Sequence, residues 1–250
     1  MHPGQTRTHI DANHAFIAPD SHLPSPLPGW KNAQVIILIS PQMGARLTQF
    51  IALMEAGATS GLPLAGVERF AYVLEGQAKL SINETEHQLG VGQYVYLPPD
   101  TEHVFASDSP SRMMVFERVY LPLEGVEIPD FVVGDEKDQP SEANEGDPDA
   151  QLKRLLPVDD SFDWEINMFT FQPGATLPLV EVHVMEHGLV MLEGQGIYRL
   201  DEHWYLIQKD DVIWMGPYCP QWFAAIGKTP STYLYYKDVR RDPLAELEIL

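Results

Sequence analysis

The amino-acid sequence predicts an all-β protein made of two homologous β-units. Short runs rich in Val, Ile, Tyr and Phe recur along most of the chain and are broken by Gly, Pro, Asn and Asp, the pattern of an antiparallel sandwich or barrel. Helix-period patterning is scarce, with LAELEIL (244–250) the best short candidate. Leu74-Glu75-Gly76-Gln77 recurs 118 residues later as Leu192-Glu193-Gly194-Gln195, and the same offset carries Phe105-Ala106 onto Phe223-Ala224.

Taken in order, residues 1–33 are rich in His, Pro and polar side chains and read as an extended N-terminal arm. Its histidines (His2, His9, His14 and His22) are irregularly spaced and read as surface residues. Residues 34–133 form the first unit, with strand-like runs such as QVIILIS, RFAYVLE and MMVFERVYL. The stretch GDEKDQPSEANEGDPDA (134–150) holds seven Asp or Glu against one Lys and no large apolar residue, so 134–151 reads as an acidic linker. Residues 152–243 form the second unit (INMFTF, LVEVHVM, GLVMLEG, GIYRLD, HWYLI, DVIWM, STYLYYKD), and 244–250 a C-terminal tail.

Composition narrows the function. With 250 residues, 44% of them hydrophobic, the chain can bury a large core. A net charge of -20 argues against nucleic acid and against anionic membrane surfaces. A single cysteine, Cys219, excludes an intramolecular disulfide and has no partners of a nucleophilic triad. No apolar run reaches the roughly 20 residues a membrane-spanning helix needs, and the N-terminus has no signal-peptide core. A cytoplasmic location is expected.

The chemistry gathers in Gly174–Gly194, where Glu181, His183 and His187 lie at i, i+2 and i+6 in a run that reads as two short strands with a turn near Met185–Glu186. Alternation puts Glu181 and His183 on one strand face, and the turn brings His187 beside them. One carboxylate and two imidazoles make three ligands for a divalent metal. Moved back by 118, these positions fall on Pro63, Ala65 and Arg69, and Gln221 falls on His103. The second unit therefore carries the chemistry, and the first is expected to be structural or oligomerising, with His103 a remnant.

The spacings Gly174-x6-Glu181-x-His183-x3-His187-x6-Gly194 and Asp210-x5-Gly216-x-Tyr218-x2-Gln221 resemble the two motifs of the cupin superfamily, with the ligand types permuted and Asp210 where glycine is usual. Gly92-x5-Pro98-x-Asp100-x2-His103 resembles the second motif in the first unit. The resemblance covers nearly all of 34–240 and implies a bicupin, two tandem double-stranded β-helix (jelly-roll) barrels. The order Glu, His, His, then Gln, with EVHVMEHG, LEGQGIYRLDEHW, CPQ and YLYYKD, is similar to the (S)-ureidoglycine aminohydrolase family. That resemblance implies manganese held by Glu181, His183, His187 and Gln221, with Tyr198, Tyr233 and Lys237 near the substrate. It implies release of ammonia from (S)-ureidoglycine to give (S)-ureidoglycolate in purine (allantoin) degradation.

These residue types suit the chemistry. Two imidazoles, a carboxylate and an amide oxygen favour Mn²⁺ or Fe²⁺, with Zn²⁺ or Ni²⁺ as other candidates. Lys237, on a mostly apolar strand and sharing parity with Tyr233, is the candidate proton shuttle, and Glu181 the second catalytic group. Tyr198 reads equally as a core tyrosine. Two other readings stay open: an Fe²⁺-dependent cupin dioxygenase or isomerase on a small organic acid, and a non-catalytic bicupin that binds a small molecule. The expected partners are a small-molecule substrate and copies of the same chain, because exposed sheet edges call for cover by arms or neighbouring subunits.

Overall fold

A computed structural model describes residues 5–242; LAELEIL lies outside the described residues. The expected all-β architecture is present. β1 (His9–Ile10) and β2 (His14–Ile17) open the chain. Then come β3 (Lys31–Ile39), β4 (Thr48–Thr59), β5 (Val67–Glu75), β6 (Gln77–Ile82), β7 (Thr85–Gly90), β8 (Gln93–Leu97), β9 (His103–Ser107), β10 (Ser111–Val119) and β11 (Val132–Asp135). β12 (Ser141–Asn144), β13 (Asp147–Arg154), β14 (Trp164–Phe171), β15 (His187–Glu193) and β16 (Gln195–Leu200) follow. β17 (His203–Gln208), β18 (Val212–Met215), β19 (Gln221–Ile226) and β20 (Ser231–Asp238) complete the set.

Contacts divide the chain into two units. One spans His22–Gln42 and Arg46–Asp138; the other takes residues up to Ser21, Met43–Ala45 and everything from Gln139. In the first, β3 to β11 make one curled antiparallel sheet around Phe50, Val73, Leu80, Val95, Phe105 and Val115. In the second, an eight-stranded sheet of order β1-β2-β18-β15-β20-β14-β13-β12 faces the three-stranded sheet β17-β16-β19 across Phe171, Leu189, Met191, Phe223 and Tyr233. Alternate side chains of each strand fill the space between.

The repeat extends to backbone conformation. Four pairs separated by 118 residues share a positive φ: Gly76 (75°) with Gly194 (76°), Asn83 (48°) with Asp201 (55°), Gly92 (85°) with Asp210 (68°), and Asp100 (60°) with Tyr218 (62°). Asp210 thus adopts the left-handed turn usual for glycine, which aspartate tolerates better than most residues. Gly76 and Gly194 have a second constraint. A Cβ on Gly194 would run into the Pro230 carbonyl and Ser231, and one on Gly76 would meet Pro110 and Ser111 in the same way. The turn after each Leu-Glu passes against the start of a long strand of its own unit, β10 in the first and β20 in the second.

Three expectations are corrected. The acidic stretch is not a plain linker: it carries the end of β11, all of β12 and the start of β13. Glu142, Asp147 and Asp149 are exposed along β12 and β13, and Ala150, paired with Phe171, is the buried position. The arm divides as well. His9–Ile17 is a hairpin whose second strand adds to β18, so His14 is fully buried rather than superficial, whereas Ser25 bridges Val35 in the first unit. Finally, residues 172–186 form no strand. Pro173 and Pro178 lack backbone donors, and the segment touches β19 only through the bridges Thr176↔Ala224 and Glu181↔Gln221 and a few further hydrogen bonds.

Gly194→Ala should destabilise the protein by about 2 kcal/mol or more, since strain at positive φ adds to a clash with backbone. Chemical denaturation checks this, and Gly174→Ala, which has a similar φ and open space, should cost less.

Candidate metal centre

Each expected ligand is held by local structure. Glu181 and Gln221 exchange both backbone hydrogen bonds, at 2.9 and 3.0 Å, so their side chains leave the bridge side by side. His183 is anchored two residues on, where its carbonyl accepts the Tyr218 N–H at 2.7 Å. His187 is the first residue of β15, and the Glu186 N–H just before it donates to Asp238 Oδ1 at 2.5 Å. Glu181 and His183 do share a face, as expected, but through an isolated bridge and an extended segment rather than a strand.

The four side chains converge. His183 Nε2 lies 3.2 Å from His187 Nε2, 2.8 Å from the Gln221 amide nitrogen and 3.8 Å from Glu181 Oε2. The other ring nitrogens show which lone pairs point inward. His183 Nδ1 faces the Met185 carbonyl at 3.1 Å and His187 Nδ1 the Tyr236 carbonyl at 3.3 Å. A carbonyl only accepts, so both Nδ1 atoms carry the hydrogen and both Nε2 atoms present unprotonated lone pairs to each other. Rotation of the Gln221 amide adds its oxygen to the set without changing its volume. Facing lone pairs repel, and a cation between them removes the repulsion. Burial, then His183, then Lys237 hold the His187 pKa well below that of free imidazole, which keeps it neutral and able to ligate. The donor set fits a divalent metal.

Glu181, His187 and Gln221 open on a cavity of about 260 Å³ that Tyr198, Tyr233 and Lys237 also line, with His183 behind them. Tyr233, Tyr235 and Lys237 alternate along β20, and Lys237 stands opposite His187 on one neighbouring strand and Glu165 on the other. Tyr198 and Tyr233 hydrogen-bond to each other, and burial drives both phenol pKa values far up, so both stay protonated donors. Burial raises the Cys219 thiol to about 11, which leaves it inert.

Sequence reasoning missed part of this wall. Arg154, Glu165, Asn167 and Tyr235 also line the cavity. The Asn167 amide donates to the Tyr235 hydroxyl at 3.3 Å, and Arg240 holds Glu165 at 2.8 Å. The available signal was Glu165-x-Asn167, two polar residues of equal parity in the apolar strand WEINMFTF.

In the first unit the equivalent space is filled. Arg69 and His103, the counterparts of His187 and Gln221, are in contact: Arg69 Nη1 donates to His103 Nε2 at 2.8 Å, and the guanidinium pairs with Glu117 at 2.5 Å. His103 Nδ1 donates to the Thr101 carbonyl, so its Nε2 lone pair receives an arginine instead of a metal.

The fold and these motifs define the protein as a cupin. The cupin domain family matches residues 50–117. The crystal structure of a glyoxylate-induced protein from Pseudomonas aeruginosa, itself designated putative, superposes with a TM-score of 0.88 at 27% identity, covering 96% of this chain and 94% of that one. Two curated relatives are closer in sequence. The rice protein named as a probable (S)-ureidoglycine aminohydrolase is 46% identical over 97% of this chain and 78% of its own length. The (S)-ureidoglycine aminohydrolase of Escherichia coli K12 is 33% identical over 92% of this chain and 90% of its own. The chain belongs to the (S)-ureidoglycine aminohydrolase family.

Burial, then Arg69, lowers the His103 pKa to about 4, against 6.5 for free imidazole. The unfolded chain therefore takes up a proton first as pH falls, and stability present above pH 6.5 is lost toward pH 4 at about 1.4 kcal/mol per pH unit. His103→Gln should flatten the pH dependence of the unfolding free energy across that window by about this slope.

Proposed function

We propose that this protein is a metal-dependent hydrolase that releases ammonia from (S)-ureidoglycine and yields (S)-ureidoglycolate. The observation that carries the reading is the arrangement of Glu181, His183, His187 and Gln221 around one point of a small cavity that Lys237 also faces. About 260 Å³ suits a small polar acid rather than a polymer or lipid.

In this reading Glu181, His183, His187 and Gln221 hold the metal, and manganese is the ion that the donor set and the family favour. A bound divalent cation would orient the substrate's carboxylate and amine and draw charge from them. The net reaction breaks the bond from the α-carbon to the amino group and forms a bond from that carbon to a water oxygen. The departing amine needs a proton. Lys237, opposite His187 and Glu165 on the neighbouring strands, hands a proton to the departing amine. Tyr198 and Tyr233, kept as phenols by burial, share one hydroxyl hydrogen between them and have one left to donate to a carbonyl or carboxylate oxygen of the substrate. Glu181, more open than the two buried ligands His187 and Gln221, is placed to take the one proton that the water gives up and to return it to Lys237, so that the cycle closes.

Lys237→Met should keep the metal and lower ammonia release from freshly generated (S)-ureidoglycine by about 10²-fold or more. Metal analysis beside a coupled ammonia assay tests both parts, and full activity in the variant would remove Lys237 from the mechanism.

We also propose that the chain works as a homo-oligomer. Leu179, Val180 and Val182 expose apolar side chains next to Glu181 and His183, a patch that a second subunit would cover. Sedimentation equilibrium should give a multiple of 28.1 kDa.

A further inference from the structure

Three histidines outside the cavity, His9, His14 and His203, gather with Asp11 at the N-terminal hairpin. One candidate ligand atom from each of the four lies within 4.8 Å of those of the other three. The hairpin builds most of the cluster. His9 and Asp11 share parity, with His9 Nε2 3.7 Å from Asp11 Oδ2, and the Asp11 N–H donates to the His14 carbonyl at 2.9 Å to close the turn. β17 supplies the rest: the His203 ring centroid is 5.1 Å from that of His9 and 5.5 Å from that of His14.

The buried member has its tautomer set by neighbours. The Asn13 amide donates to Asp201 Oδ2 at 3.0 Å, which turns Asn13 Oδ1 toward His14 Nδ1 at 2.8 Å. Nδ1 therefore carries the hydrogen, and the Nε2 lone pair is available; at present it accepts from the Tyr205 hydroxyl at 2.8 Å. A ligating imidazole whose other nitrogen is held by a side-chain oxygen is the usual outer arrangement of a metal site. His9, Asp11 and His203 are exposed, which gives a cation its entry path.

We propose that His9, Asp11, His14 and His203 form a second divalent-metal site that fastens the β1–β2 hairpin to the β17 end of the barrel. Three imidazoles and one carboxylate give a four-coordinate set richer in nitrogen than the Glu181 centre, and it selects Zn²⁺, Ni²⁺ or Cu²⁺ over Mn²⁺. The site is structural: it makes no contact with the cavity. Its effect passes along the sheet, since His14 is paired with Met215, and Met215 with His187. The inference stands independently of the substrate proposed above.

The test uses the full chain, loaded with manganese, dialysed against micromolar Zn²⁺ and analysed for metal content. His203→Ala and the double variant His9→Ala/His203→Ala are treated alongside, both changes being at exposed positions. Each variant should hold one zinc fewer than the unsubstituted protein, and Zn²⁺ should raise the melting temperature of the unsubstituted protein only. Any zinc that enters the Glu181 centre counts equally in all three proteins, so the difference reads the second site alone. Equal zinc content in all three would overturn the proposal, whatever the activity on (S)-ureidoglycine proves to be.

Discussion

The pair of backbone hydrogen bonds between Glu181 and Gln221 is the constraint on which the candidate metal centre depends. Glu181 lies in a segment with two prolines and no strand of its own, so nothing within that segment could hold its carboxylate in place. Docking onto the first residue of β19 places an acid and an amide next to each other, and β15 then delivers His187 from the opposite sheet. Donors from both sheets thus meet at the mouth of the barrel, where the cavity stays open because the facing strands present polar or aromatic side chains.

The two barrels show what the same frame does with different side chains. Both keep positive φ at four equivalent turns, and both press a glycine against the start of an equivalent strand, β10 or β20. In the first barrel the position of His187 is Arg69, a cation already attached to the chain. Buried and paired with Glu117, it satisfies the lone pair of His103 without any metal. Removing Glu117 would leave the buried Arg69 charge without its carboxylate, which is the expensive outcome for a buried pair. One barrel thus holds a positive charge covalently where the other presents the facing lone pairs of His183 and His187.

The edges of the eight-stranded sheet come from the two segments whose composition least suggested structure. The β1–β2 hairpin closes one side and β12–β13 the other. All four residues of β2 are buried because β18 lends them a sheet, and Phe16 reaches the core. A four-residue strand in a proline-rich setting has too short a period to be recognised alone. Carboxylates along β12 and β13 face solvent and guard an edge that would otherwise pair with another chain.

What the sequence determined by itself was residue type and local period. Runs such as QVIILIS and STYLYYKD can only be buried as strands, the Leu-Glu-Gly-Gln repeat marks the duplication, and Glu181, His183, His187 and Lys237 are legible because donors at close spacing interrupt an apolar run. Tertiary structure decided which of these meet. Asn167 and Glu165 join the cavity only because β14 lies beside β20, and His14 becomes a buried partner of Tyr205 and His203 only because β2 adds to β18. Strand pairing is a long-range choice, set by which edges remain open after the rest of the sheet has formed, and no local pattern of side chains records it.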